Sequence, residues 1–175
     1  MNSIEILITI VGGLSAAFKW IYEYSKKLEW EKNKLLLMEL EKFNSLEYTK
    51  VMERILDWNG TKVVIDGCEF RVDDELLLSS IQTHDVKHKF TKEEVLIRKV
   101  VDDYFNNLTK LIFMSKAELI NEENLKMFLD YWFNILSGKR KSKSNEIISA
   151  IDNYMYFYDF DELKKFLVKN YTYEN

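Results

Sequence analysis

Ile4 to Tyr22 reads IEILITIVGGLSAAFKWIY, and from Ile6 to Phe18 it carries no charged side chain. As one helix these residues rise about 28 Å, close to the hydrocarbon thickness of a bilayer. Glu5 would then meet one interface and Lys19 the other, with Trp20, Tyr22 and Tyr24 forming the aromatic belt expected where lipid gives way to water. A secretory signal carries basic residues ahead of its apolar run, whereas here Glu5 comes first and Lys19, Lys26 and Lys27 follow. The same order, by the positive-inside rule, puts the N-terminus outside and the residues after the span in the cytoplasm. A buried helix of a soluble domain is the competing reading, kept open by the short length and by the Thr, Ser and Gly residues. Gly12 with Ala16, and Gly13 with Ala17, repeat at four-residue spacing, which lets two helix backbones approach closely. Together with Ser15 they are the expected membrane and oligomer interface. Thr9 and Ser15 are the polar candidates for lining a pore.

Outward from this segment the chain reads as helix. Its 175 residues are 47% hydrophobic and 31% charged, with no proline and five glycines, so it has the means to form a core and little that breaks helices. Intrinsic disorder, collagen-like repeats and disulfide scaffolds are excluded. The net charge of -4 argues against a wholly basic nucleic-acid surface. The single cysteine, Cys68, suits a reducing compartment and reads as a strand residue rather than a nucleophile.

From Trp20 to about Asn44 the apolar positions recur at helical spacing, so the membrane helix is expected to continue as a stalk. Ser45 is the expected cap of a second helix through Asp57, with Val51, Ile55 and Trp58 inward and Asn59-Gly60 as its stop. Thr61 to Val72 holds two β-branched or aromatic runs around Asp66-Gly67, a strong hairpin signal. Asp73 predicts a short helix through Ser80, and the Thr91/Glu94 capping box predicts a long one from Lys92 to about Met114. Asn121, Ser144 and Asp159 are the expected caps of three more, the last with Glu162 in a second box. Leu125, Phe128, Leu129, Trp132 and Leu136 form the apolar face of the helix after Asn121. The expected fold is mainly α: a transmembrane anchor over residues 1–25, continuing into a cytoplasmic helical bundle over 26–175 with one β-hairpin near 61–72.

Candidate chemistry is sparse. His84 and His88 stand at a spacing that can hold a metal on a helix, but a third ligand is lacking and no metal site is expected. Arg98 and Asp102 can pair at i, i+4, and Asp57 or Arg71 could join them in a polar network. Lys139, Arg140 and Lys141 open the one dense basic run, a candidate contact for RNA, phosphate or lipid headgroups. The aromatics Tyr154, Tyr156, Phe157, Tyr158 and Phe160 read as core packing rather than a base-stacking platform. No phosphate-binding loop, nucleophile elbow or zinc-protease motif occurs, so neither catalytic residues nor a cofactor nor a small-molecule substrate is expected.

The N-terminal apolar segment, Leu56-Asp57-Trp58-Asn59, Asp74-Glu75-Leu76-Leu77, Phe90 to Glu94 with Ile97-Arg98, and Tyr131-Trp132 together resemble a family of small membrane-anchored bacterial proteins. They are similar to the accessory proteins of type VI-B CRISPR systems, which accompany an RNA-guided, RNA-cleaving effector. The resemblance implies a homo-oligomeric ring in the inner membrane that strengthens antiviral defence by depolarisation, with the bilayer, copies of itself and the RNA-guided nuclease or its RNA as partners. It also implies a divergent form of the HEPN ribonuclease domain, whose signature is an Arg followed four to six residues later by His. None of Arg54, Arg71, Arg98 or Arg140 precedes His84 or His88 at that interval, so no nuclease residue carries over. The alternatives are a membrane-tethered RNA-binding or ribonuclease domain and a tethered protein-binding adaptor.

Overall fold

A computed structural model describes residues 3–84 and 88–171, except for the side chains of 3–13 and 16. Among the described residues there are seven helices and one hairpin: α1 Ser3–Ser45, α2 Glu47–Asp57, β1 Thr61–Ile65, β2 Cys68–Val72, α3 Asp74–Ser80, α4 Lys92–Lys116, α5 Glu122–Leu136, α6 Asn145–Phe157 and α7 Asp161–Tyr171. The fold is mainly α with a single antiparallel hairpin.

The core is organised around α4. Ile97, Val100, Val101, Tyr104, Phe105, Leu108, Leu111 and Ile112 are all buried, so the helix is apolar on several sides, and α2, α3, α5 and α7 pack against it. Its N-terminus is fixed by reciprocal bonds: Glu94 N–H donates to Thr91 Oγ1 at 3.2 Å and Thr91 N–H to the Glu94 carboxylate at 2.6 Å. Burial pushes the Glu94 carboxyl up, but hydrogen bonds from Ser79, the Thr91 amide and His88 outweigh it and bring the pKa down to about 2.

The hairpin follows from its turn. Asp66 and Gly67 both have positive φ, +48° and +77°, as a two-residue type I′ turn requires, and Ile65 pairs with Cys68 across it. Val63, Ile65 and Val72 face inward. Gly60, at φ +71°, ends the α2 connection, and a Cβ there would stand 2.4 Å from Arg71 Nη2.

Three local expectations differ from the structure. Ser45 is the last residue of α1 and bonds back to the Lys42 carbonyl, so α2 starts after an extended Leu46 with no side-chain cap. Asp159 has φ +60° and lies in the turn before α7 instead of capping it. Trp58 is exposed, because it stands outside the inward face formed by Thr49, Val51, Met52, Ile55 and Leu56.

Candidate functional site

The feature that sets this chain apart is how α1 leaves the domain. Its C-terminal part is docked: Leu36, Leu40 and Phe43 are buried, and Glu39 accepts from Lys110 of α4 at 2.6 Å and from Lys42 at 2.7 Å. Those two ammonium groups hold the Glu39 carboxyl below its usual range. Asn124 of α5 donates to Asn33 at 2.7 Å and marks the upper limit of the docked part. Before Lys32 every described side chain of the helix is exposed.

Large apolar and aromatic groups dominate this free length. Phe18 is 70% exposed, Trp20 66% and Trp30 61%, and Leu14, Ile21, Tyr22, Tyr24 and Leu28 are exposed with them. Aromatic contacts among the described residues of this length run along the helix itself. Trp20 stacks on Tyr24 at 5.7 Å, Lys26 lies 4.9 Å over Tyr22, and Lys34 lies 5.3 Å over Trp30. Ser15 and Ala17, two of the expected interface residues, are exposed. The expected span over residues 4–22 lies mostly outside the described side chains, as do Thr9, Gly12, Gly13 and Ala16. Among the described residues no helix is long and apolar enough to cross a membrane.

The four residues of the expected polar network occupy three places. Asp57, at the end of α2, accepts from the Tyr131 hydroxyl, and that bond, with burial, raises the phenol's pKa. Arg71 lies on the hairpin over Gly60. Arg98 and Asp102 share α4 but take different partners. The Arg98 guanidinium, only 7% exposed, donates through Nη1 to the carbonyls of Ser80 (2.8 Å) and Gln82 (2.7 Å) and through Nη2 to the Tyr158 hydroxyl (2.6 Å). The physical reason is that α3 ends at Ser80, where helix carbonyls lack intrahelical donors. Phe90, Tyr154 and Tyr158 surround the same guanidinium at 4.4, 5.1 and 5.2 Å. Asp102 accepts from the Tyr154 hydroxyl at 2.7 Å, and burial with this bond raises the Tyr154 pKa.

The basic run is folded onto the domain. Lys143 is buried against Asp74 (2.6 Å) and the Trp58 carbonyl (3.3 Å), Arg140 lies 4.2 Å over the Tyr131 ring, and Lys139 lies 5.5 Å over Tyr171. Arg140 and Lys141 remain exposed. His88 pairs with Glu94 at 3.1 Å, while His84 packs edge-on to Phe90 and Tyr158. Among the described residues no three His, Cys, Asp or Glu side chains gather as a metal site. Tyr154 and Phe160 are in the core, whereas Tyr156 and Phe157 are exposed.

No family model, curated protein or solved structure matches this chain.

Proposed function

We propose that this protein is a membrane-anchored homo-oligomer whose N-terminal helices gather in the bilayer around a pore, with the helical bundle on the cytoplasmic side. One observation carries the reading: α1 runs unbroken out of the domain and presents Phe18, Trp20, Ile21, Tyr22, Tyr24, Leu28 and Trp30 to the surroundings. Burying a large apolar side chain is worth about 1.5–3 kcal/mol, so an exposed run of this size favours lipid or further protein over water. The uncharged stretch from Ile6 to Phe18 continues outward from it, and the lysines from Lys19 onward stand on the domain side. A single span cannot enclose an opening, so a pore needs a closed ring of copies, and the spacing of Gly12/Ala16 and Gly13/Ala17 suits close helix contact. A role in RNA-guided antiviral defence is supported by the family resemblance.

The test is the mass of the full-length protein in mild detergent, beside a form lacking residues 1–22. The full-length protein is expected in the membrane fraction as a discrete ring, and the shortened form as a smaller soluble species. A full-length monomer or dimer in detergent overturns the pore. Membrane permeabilisation that survives K139A/R140A/K141A separates this reading from a tethered RNA-binding domain, for which the exposed Arg140 and Lys141 are the support.

A further inference from the structure

Where α1 docks, the domain leaves a groove open. Its walls are Leu37 and Leu40 of α1, Glu53 of α2, and Phe128, Leu129 and Trp132 of α5, and its volume is about 760 Å³. Leu37 and Phe128 are each about half exposed although they line it. Glu41 and Glu53 are its charged groups, and no Lys, Arg or His lines it. The formal charge of the groove is therefore one-signed, set among apolar and aromatic walls with Asn44 and Ser45 at one side.

Glu53 is the group with most to gain from a ligand. It is half-buried, and no described side chain forms an ion pair or hydrogen bond with it. Burial and the Asp57 carboxylate one turn away push its pKa up to about 7, so ionising it in the open groove is unfavourable. Behind it, the Thr49 and Tyr104 hydroxyls are buried without partners. Tyr104 lies close enough to Glu53 and Asp57 for both, after burial itself, to raise its phenol. Burial and the Asp57 carboxylate are what disfavour its negative charge. α5 contributes only uncharged lining residues at this point.

A cation beside Glu53 would offset both its burial and the repulsion from Asp57. Anionic ligands meet two carboxylates, and a hydrated dication would want several converging oxygen ligands. Among the described residues Glu41 and Glu53, with Asn44 and Ser45 beside them, are the only carboxylates lining the groove, and no three His, Cys, Asp or Glu side chains gather as a metal site. A nitrogen cation attached to an apolar body fits: charge to carboxylate, body to hydrocarbon, with Trp132 available for a cation–π contact. We propose that the groove between α1, α2 and α5 binds an organic ammonium ion, with its nitrogen at Glu53 and its apolar body against Leu37, Phe128 and Trp132. This holds independently of the pore, because the groove belongs to the domain.

The experiment is ligand-observed saturation-transfer NMR on the full chain in dodecyl maltoside at pH 8. Phenethylammonium is the probe, and phenethyl alcohol, the same body without charge, controls for partition into micelles. The amine is expected to receive more saturation than the alcohol, and Glu53→Gln should weaken its binding about tenfold, the loss of a charge-assisted hydrogen bond. Glu29→Gln, on the exposed stalk, should leave it unchanged. Leu37→Lys, which tethers an ammonium at the exposed wall, should also remove binding. Equal transfer to amine and alcohol, or amine binding undiminished in a folded Glu53→Gln or Leu37→Lys protein, overturns the proposal.

Discussion

Replacing Glu53 with Gln should stabilise the protein at pH 8, and the amount follows from where the carboxyl titrates. Its ordinary value is 4.5, and burial with the neighbouring Asp57 moves it to about 7 in the folded chain. Between those values the folded state holds its proton while the unfolded state has lost it. Stability contributed by the protonated group is therefore full below 4.5, declines as pH rises, and is gone above about 7. Taken whole, that interval corresponds to about 3.4 kcal/mol at about 1.36 kcal/mol per pH unit. Water reaches part of the carboxyl, and screening reduces the effect to about 1–2 kcal/mol. Gln keeps the shape and removes the charge, so the variant should recover this amount at pH 8 and almost none at pH 4.5. For a domain of this size it should appear as a midpoint about 3–6 °C higher in a thermal melt at pH 8. Glu94 is common to both proteins and cancels in the difference. A variant that melts at or below the wild type at pH 8, or shows the same gain at both pH values, would refute the reasoning. The same substitution weakens amine binding while strengthening the fold, so lost binding cannot be blamed on unfolding.

Arg98→Ala should destabilise by about 2–4 kcal/mol, because the Ser80 and Gln82 carbonyls lose their donor inside an aromatic enclosure; Arg98→Lys should recover little, which chemical denaturation would measure. Gly60→Ala should exceed the roughly 1 kcal/mol strain of its positive φ, since the new methyl meets Arg71, whereas Gly67→Ala, with open space around it, should show the strain alone. Glu94→Gln should lower stability at neutral pH. It should also remove acid sensitivity in the range from 4.5 down to about 2, where the folded protein keeps this carboxylate ionised, as urea melts at stepped pH would report.

What could be read from the chain was mostly what neighbours in sequence decide. The Asp66-Gly67 turn, the Thr91/Glu94 box and the caps Asp73, Asn121 and Ser144 are local chemistry, and each stands where its residue types require. Where two local signals compete, the reading slips. Ser45 has cap chemistry, but α1 propagates through it, and Asp159 tolerates a left-handed backbone as well as a cap. The groove was hidden for a different reason. Phe128 and Trp132 fall on the apolar stripe of α5 and read as core, but Leu125, Leu129, Phe133 and Leu136 take that place and leave these two at the rim. One wall of the groove at Glu53 comes from Phe128, Leu129 and Trp132, far along the chain, which no periodicity encodes. The Arg98 partners illustrate the same limit: Asp102 is near in sequence, yet unpaired carbonyls at the end of α3 compete more strongly.

The unbroken course of α1 means that counting residues sets an angle. A helix turns about 100° per residue, and 43 residues from Ser3 to Ser45 contain no interruption to absorb a change. One residue inserted between Leu28 and Glu29 would swing every outer face about 100° relative to the domain while leaving the docked part untouched, whereas seven would return those faces to within about 20°. The outer end and the bundle are held in phase, and any function that needs both to face a common axis will tolerate seven added residues better than one.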